Sequence, residues 1–105
     1  MIKLSKLSQS IAREVIKAVA IEGNVTVKQI RAKKRTEPIA NARHLCCWIL
    51  VKMFGGGLAE VGVYMKRDHT TVLNSVRRID EALGMNDTTS LRLGKQIDKI
   101  MEVVQ

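Results

Sequence analysis

The sequence predicts an all-α fold, a compact bundle of about six helices that uses residues 1–105 as one module. Three observations carry this expectation. Apolar residues recur at steps of three and four, the spacing of a helix face rather than of a strand. Proline occurs once and Trp48, Phe54 and Tyr64 are the only aromatics, so the core must be built from Leu, Ile, Val, Ala and Met, a composition that favours helices over a β-sandwich. A chain of 105 residues suits one ordinary domain, and a hydrophobic share of 46% is too high for generalised disorder.

Each helix has its own signals. Residues 5–20 carry Leu7, Ile11, Val15 and Ala18 or Val19 on one stripe, with Ser5 or Ser8 near the start to cap it. Gly23 and Asn24 interrupt the pattern and mark a turn. A short second helix is expected over Thr26–Ala32, capped by Thr26 and turning Val27 and Ile30 inward. Pro38 suits the first turn of a third helix over 38–53, because an absent amide hydrogen costs little there. In that helix Ile39, Ala42, Leu45, Cys46, Ile49 and Met53 make one broad apolar band, widened by Trp48, so it should be the central helix and Trp48 a packing residue.

Gly55, Gly56 and Gly57 end the third helix and allow a sharp reversal; without lysine and serine or threonine beside them they are not a phosphate-binding loop. Leu58–Tyr64 is predicted to form a short fourth helix, and Met65, Lys66 and Arg67 a tight connection to a fifth. The fifth, from Asp68 or His69 to Leu83, places Val72, Val76, Ile79 and Leu83 on the core. Its other side collects Thr70, Asn74, Arg77, Arg78 and Glu81. A short helix, a tight turn and a longer helix over about 58–83 is the form of a helix-turn-helix. Gly84 and the polar run from Asn86 to Ser90 set off a final bracing helix over 90–104, with Leu93, Ile97, Ile100 and Val104 inward.

Charge is distributed unevenly. The formal net charge is +8; residues 1–54 hold 11 basic and 3 acidic side chains, whereas residues 55–105 hold 7 of each. Lys28, Arg31, Lys33, Lys34 and Arg35 fall within eight residues and create a field attractive to phosphate, although a charge run can also be no more than a solvated face. Cys46 and Cys47 are adjacent, which suits neither a disulfide nor a metal spacing with His44, and they read as small buried hydrophobes. No cofactor or metal is expected. MIKLSKLSQS lacks the long apolar run of a secretory signal, and no later stretch reaches the length of a membrane span, so a cytoplasmic, nucleoid-associated protein is the expectation.

At Arg67-Asp68-His69-Thr70-Thr71-Val72-Leu73, continuing as Asn74-Ser75-Val76-Arg77-Arg78-Ile79, the sequence resembles the C-terminal DNA-binding domain family of the bacterial chromosomal replication initiator DnaA. The likeness extends upstream through Val27–Arg35, the Ile39-Ala40 and Arg43 positions and Leu58–Gly62, and in outline covers residues 7–104. The resemblance implies a Trp-repressor-like helix-turn-helix bound to double-stranded DNA. It places Arg67, Asp68, His69, Thr70, Thr71 and Asn74 at base edges in the major groove, and Arg35 in the adjacent minor groove. Lys33, Lys34, Lys66, Arg77 and Arg78 suit phosphate positioning. Asp68 has a second reading as the cap of its helix, and Thr70 or Thr71 as partly buried.

This chain departs from the family pattern. Glu37 and Asn41 stand where the family carries further basic residues, and Met65-Lys66 replaces a glycine pair in the turn before Arg67. There is no nucleotide-binding motif, so a chain of this length would regulate replication or transcription, or recognise an origin-like site, without driving its own ATP-dependent assembly. An asymmetric site permits a monomer, and a replication or regulatory protein is an expected second partner. Two other functions compete: a sequence-insensitive architectural DNA binder, and a protein-interaction module using an uncovered helix stripe. An enzyme is not expected, because Asp68 beside His69 lacks a nucleophile or a metal constellation to complete it.

Overall fold

The computed structural model describes residues 7–104. The six α-helices are α1 (Gln9–Gly23), α2 (Val27–Arg31), α3 (Glu37–Trp48), α4 (Leu58–Met65), α5 (His69–Leu83) and α6 (Thr88–Val104), with a π-helical turn over Ile49–Met53 continuing α3. Among the described residues no strand forms. None of the helices is long and apolar enough to cross a membrane.

The helix starts follow from local chemistry. Ser8 accepts from the Ile11 amide at 3.2 Å, so α1 begins four residues later than its apolar spacing predicts; Ser5, the other candidate cap, lies outside the described residues. At the far end α1 continues through Gly23, and Asn24 adopts a left-handed conformation (φ 56°) that stops it. Thr26 and Gln29 exchange hydrogen bonds of 3.0 and 2.9 Å in a capping box that holds the five-residue α2. Asp87 and Ser90 make the same reciprocal arrangement at α6, which therefore starts at Thr88 rather than 90.

Helix α3 is the hub, packed on α1, α2 and α5, while α6 spans α1 and α5, and α4 rests on α5. Ile16, Ile30, Ile49, Leu50, Met65, Val72 and Ile100 are among the fully buried side chains at the centre. Cys46 and Cys47 are buried with them, and burial raises both thiols, Cys47 to about 11. Both are therefore neutral packing groups at physiological pH.

The predicted continuous helix over 38–53 ends differently from its sequence pattern. After Trp48 the backbone widens into the π turn, with the Phe54 amide bonded to the Ile49 carbonyl at 3.3 Å and the Gly56 amide to the Leu50 carbonyl at 3.0 Å. The wider turn keeps Ile49, Leu50 and Phe54 all buried. The reversal that follows needs two glycines for different reasons: Gly55 has φ 70°, whereas a Cβ on Gly56 would stand 2.6 Å from Leu7 and 2.9 Å from Val61. Met53, expected on the inner band, is 43% exposed because the π turn rotates it outward.

Candidate functional site

The site begins with the turn between α4 and α5. Met65 is fully buried, Lys66 takes the left-handed conformation (φ 56°, ψ 45°), and the Arg67 amide donates to the Gly62 carbonyl at 2.9 Å. A Cβ on Gly62 would collide with the Arg67 carbonyl oxygen, so this position requires glycine for the two helices to meet. The turn is thus built without the family's glycine pair: lysine accepts a conformation that costs an L-residue about 1 kcal/mol, and Met65 anchors it from inside. Its consequence is to start α5 with its first turn exposed.

Asp68 is the N-cap of α5, its Oδ1 accepting from the Thr71 amide at 2.7 Å. That bond, together with one to the Thr71 hydroxyl, holds the Asp68 carboxyl below its ordinary range. His69 and Thr70 are exposed on the first turn, Thr71 is half-buried, and Asn74 is exposed one turn further on. Val72, Ser75, Val76 and Ile79 hold the opposite stripe in the core.

The second wall of the site is the loop of Lys33, Lys34 and Arg35. A five-residue helix leaves its last carbonyls without intrahelical donors, and here two arginines supply them. Arg43, 7% exposed, donates from Nε to Ile30 O at 2.8 Å and from Nη2 to Ala32 O at 2.6 Å, Lys34 O at 3.1 Å and Gln29 O at 3.4 Å. Burial, and then the neighbouring Arg67, lower the Arg43 pKa, without threatening its charge. Arg67 reaches the end of α2, just ahead of the loop, from the other side, donating to the carbonyls of Ala32 and Arg31 as well as to its neighbour Lys66 O at 2.9 Å.

Between the two walls lies a groove of about 900 Å³. Lys33, Arg35, Arg43, Lys66, Arg67 and Arg78 line it against only Glu37 and Asp68, with Asn41, Thr71 and Asn74 supplying neutral hydrogen-bonding groups. Of the twelve sequence-predicted residues, Lys33, Arg35, Lys66, Arg67, Asp68, Thr71, Asn74 and Arg78 therefore converge. Lys34, His69, Thr70 and Arg77 are exposed outside its lining. Arg67, expected among the base readers, has its guanidinium turned to backbone carbonyls. Glu37 and Asn41, the departures from the family pattern, both face the groove.

A family model described as the bacterial dnaA protein helix-turn-helix matches residues 12–79, from within α1 to within α5. The chain belongs to this family. Among its relatives, the chromosomal replication initiator protein DnaA of Streptococcus thermophilus is 29% identical over an alignment covering 93% of this chain and 26% of that protein. The DnaA of Thermodesulfovibrio yellowstonii is 31% identical over 80% of this chain and 19% of its own length, and that of Mycoplasma capricolum 28% identical over 99% and 22%. The chain spans about a quarter or less of the curated relatives it matches.

Within this DnaA helix-turn-helix unit, polar contacts behind the groove tie α5 to α3 and its π turn, and the apolar spacing does not announce them. His44 Nδ1 shares a 2.8 Å hydrogen bond with Ser75 Oγ across the α3–α5 contact, and Ser75 also meets the Cys47 thiol. Burial first, then Arg78 and Arg43, lowers the His44 pKa, keeping the imidazole neutral there. Trp48 Nε1 donates to Asp80 Oδ1 at 2.8 Å, and Lys52 lies 3.5 Å from Asp80 Oδ2, so the later part of α5 is tied to α3 rather than open to the groove. The signal for Arg43 was available: a single arginine four residues from both Ile39 and Cys47, on the buried stripe.

Proposed function

We propose that this chain binds double-stranded DNA sequence-specifically, with the first turns of α5 in the major groove and the Lys33–Arg35 loop over the adjacent minor groove, as one helical module. The observation that carries the reading is the cationic groove itself, which joins the exposed N-terminus of a helix-turn-helix second helix to a basic loop. His69, Thr70, Thr71 and Asn74 present donors, acceptors and methyl groups toward base edges, while Lys33, Lys34, Lys66, Arg77 and Arg78 set the backbone in register. Arg35 enters a narrow A/T-rich minor groove, whose negative potential favours a guanidinium. Asp68 acts first as the cap of α5, and its second carboxylate oxygen accepts from a cytosine amino group.

In the cell the module occupies origin-like sites and so regulates replication or transcription in the nucleoid, with a replication or regulatory protein as second partner. Duplex titrations from 50 to 300 mM salt test the electrostatic half of the reading. Because neutralising several phosphates releases counterions, log Kd should rise linearly with log salt by roughly 0.9 per phosphate contacted. A flat dependence for folded protein would contradict phosphate positioning by the loop and by α5.

A further inference from the structure

The Ala32 carbonyl is the one point at which the two walls of the groove meet through charged groups. Arg43 arrives from α3 and Arg67 from the turn into α5, and both guanidiniums donate to that single oxygen. A carbonyl has two lone pairs, so it can accept both. Each arginine then takes further carbonyls of the same segment: Arg43 those of Ile30 and Lys34, Arg67 that of Arg31. Among the described residues neither forms an ion pair, so backbone oxygens of the loop stand in for the usual carboxylate partners. Charge-assisted bonds of this kind are stronger than neutral ones and fix direction as well as distance.

We propose that Arg67 and Arg43 are positioning residues that hold the basic loop in register with α5, so that major-groove and minor-groove readout are coupled rather than independent. Arg67 is the coupling member, since it belongs to the helix-turn-helix while two of its three side-chain bonds end on Arg31 and Ala32, the segment that leads directly into the loop. Its sequence neighbour Lys66 remains free for phosphate. A protein whose readers are linked this way loses most of the benefit of one contact when the other is mismatched, because the loop cannot shift to find its groove alone.

This inference rests on the DNA reading above, and its test separates the two. Arg67→Lys keeps the charge but cannot reach Ala32 and Arg31 together; Arg43→Lys is a second variant, with thermal melts to show that each folds. In free protein, trypsin nicking after Lys33, Lys34 and Arg35 should be about tenfold faster in Arg67→Lys, with cleavage after Arg92 and Lys95 unchanged, because only the loop opens locally. On duplexes selected by the wild-type chain, the A/T flank, the core base pairs or both are then replaced. In wild type the double replacement should cost about fivefold less than the product of the single penalties, whereas in Arg67→Lys the penalties should multiply to within twofold.

Unchanged nicking overturns the positioning role. Faster nicking with the coupling intact shows that something else joins the readers, and lost coupling without faster nicking shows that Arg67 reads DNA directly; both overturn the proposal. If wild type selects no duplex, the DNA reading fails, and the nicking rate alone decides whether Arg67 holds the loop.

Discussion

The two walls of the groove are built by opposite means. The α5 wall stands on local backbone chemistry: Gly62 for close approach, Lys66 in the left-handed region and Asp68 capping the helix three residues ahead of its bonded amide. The loop wall has almost no local structure of its own and is held from a distance, by an arginine on α3 and another in the turn. Local devices leave a motif in the chain, whereas remote ones leave only a residue whose partner is a backbone atom. The α5 wall is therefore recognisable from a short signature, whereas the support of the loop wall is not.

Removing the remote support should have the largest effect on the fold. Arg43→Ala would strand the Ile30 and Lys34 carbonyls and leave the Ala32 carbonyl to Arg67 alone, and should cost about 2–4 kcal/mol by urea denaturation, the scale of losing charge-assisted bonds to buried acceptors. A cost below 1 kcal/mol would mean that water replaces the side chain and that the loop needs no clamp. A gentler change sharpens the contrast in charge. Glu37→Lys restores a cation at the groove edge, so duplex affinity should rise a few-fold at low salt and the salt slope should steepen by about one phosphate contact. Unaltered affinity would place Glu37 beyond the path of the backbone.

The α3–α5 contact behind both walls has a pH dependence whose sign follows from His44. Its folded pKa lies below the ordinary 6.5 through burial, Arg78 and Arg43, so below 6.5 the unfolded chain takes up a proton that the folded chain resists. Stability attributable to His44 is therefore complete above that value and declines as pH falls toward the depressed one. Melting temperatures at pH 7.5 and 5.5 should differ more in wild type than in His44→Gln; equal differences would remove His44 from the linkage. The smallest effect belongs to the turn. Lys66→Gly relieves the left-handed strain and should stabilise the fold by about 0.5 kcal/mol after the entropy it returns to the unfolded chain, as read by thermal melting.

Most of the fold is legible in the sequence because its helices announce themselves by apolar steps and caps. Val72, Val76 and Ile79 lie buried where their spacing put them, and Thr26 and Asp68 cap the helices they precede. What the pattern hides is backbone geometry and polar partnership. The π turn at Ile49–Met53 has no signature distinct from a continuing helix, since both place Ile49 and Leu50 inside. Ser75 reads as a polar gap in a core stripe, and only the position of His44 on α3 explains it. Arg67 stands in a motif of exposed residues, Asp68, His69 and Thr70, yet the short α2 before the loop leaves carbonyls that draw its guanidinium inward. Glu37 and Asn41 were visible as departures, and their place on the groove gives that departure a physical meaning.

The measurement that bears most directly on the central claim is a competitive selection from a randomised duplex library at near-physiological salt, run on wild type, Arg35→Ala and Thr70→Ala. Two reading surfaces predict one compact enriched site, with Arg35→Ala relaxing preference only at its A/T-rich flank and Thr70→Ala only within its core, each by about 1–3 kcal/mol of discrimination at the affected positions. Strong binding without enrichment, or two variants that lose every sequence equally, would contradict sequence-specific recognition by the start of α5 and the basic loop.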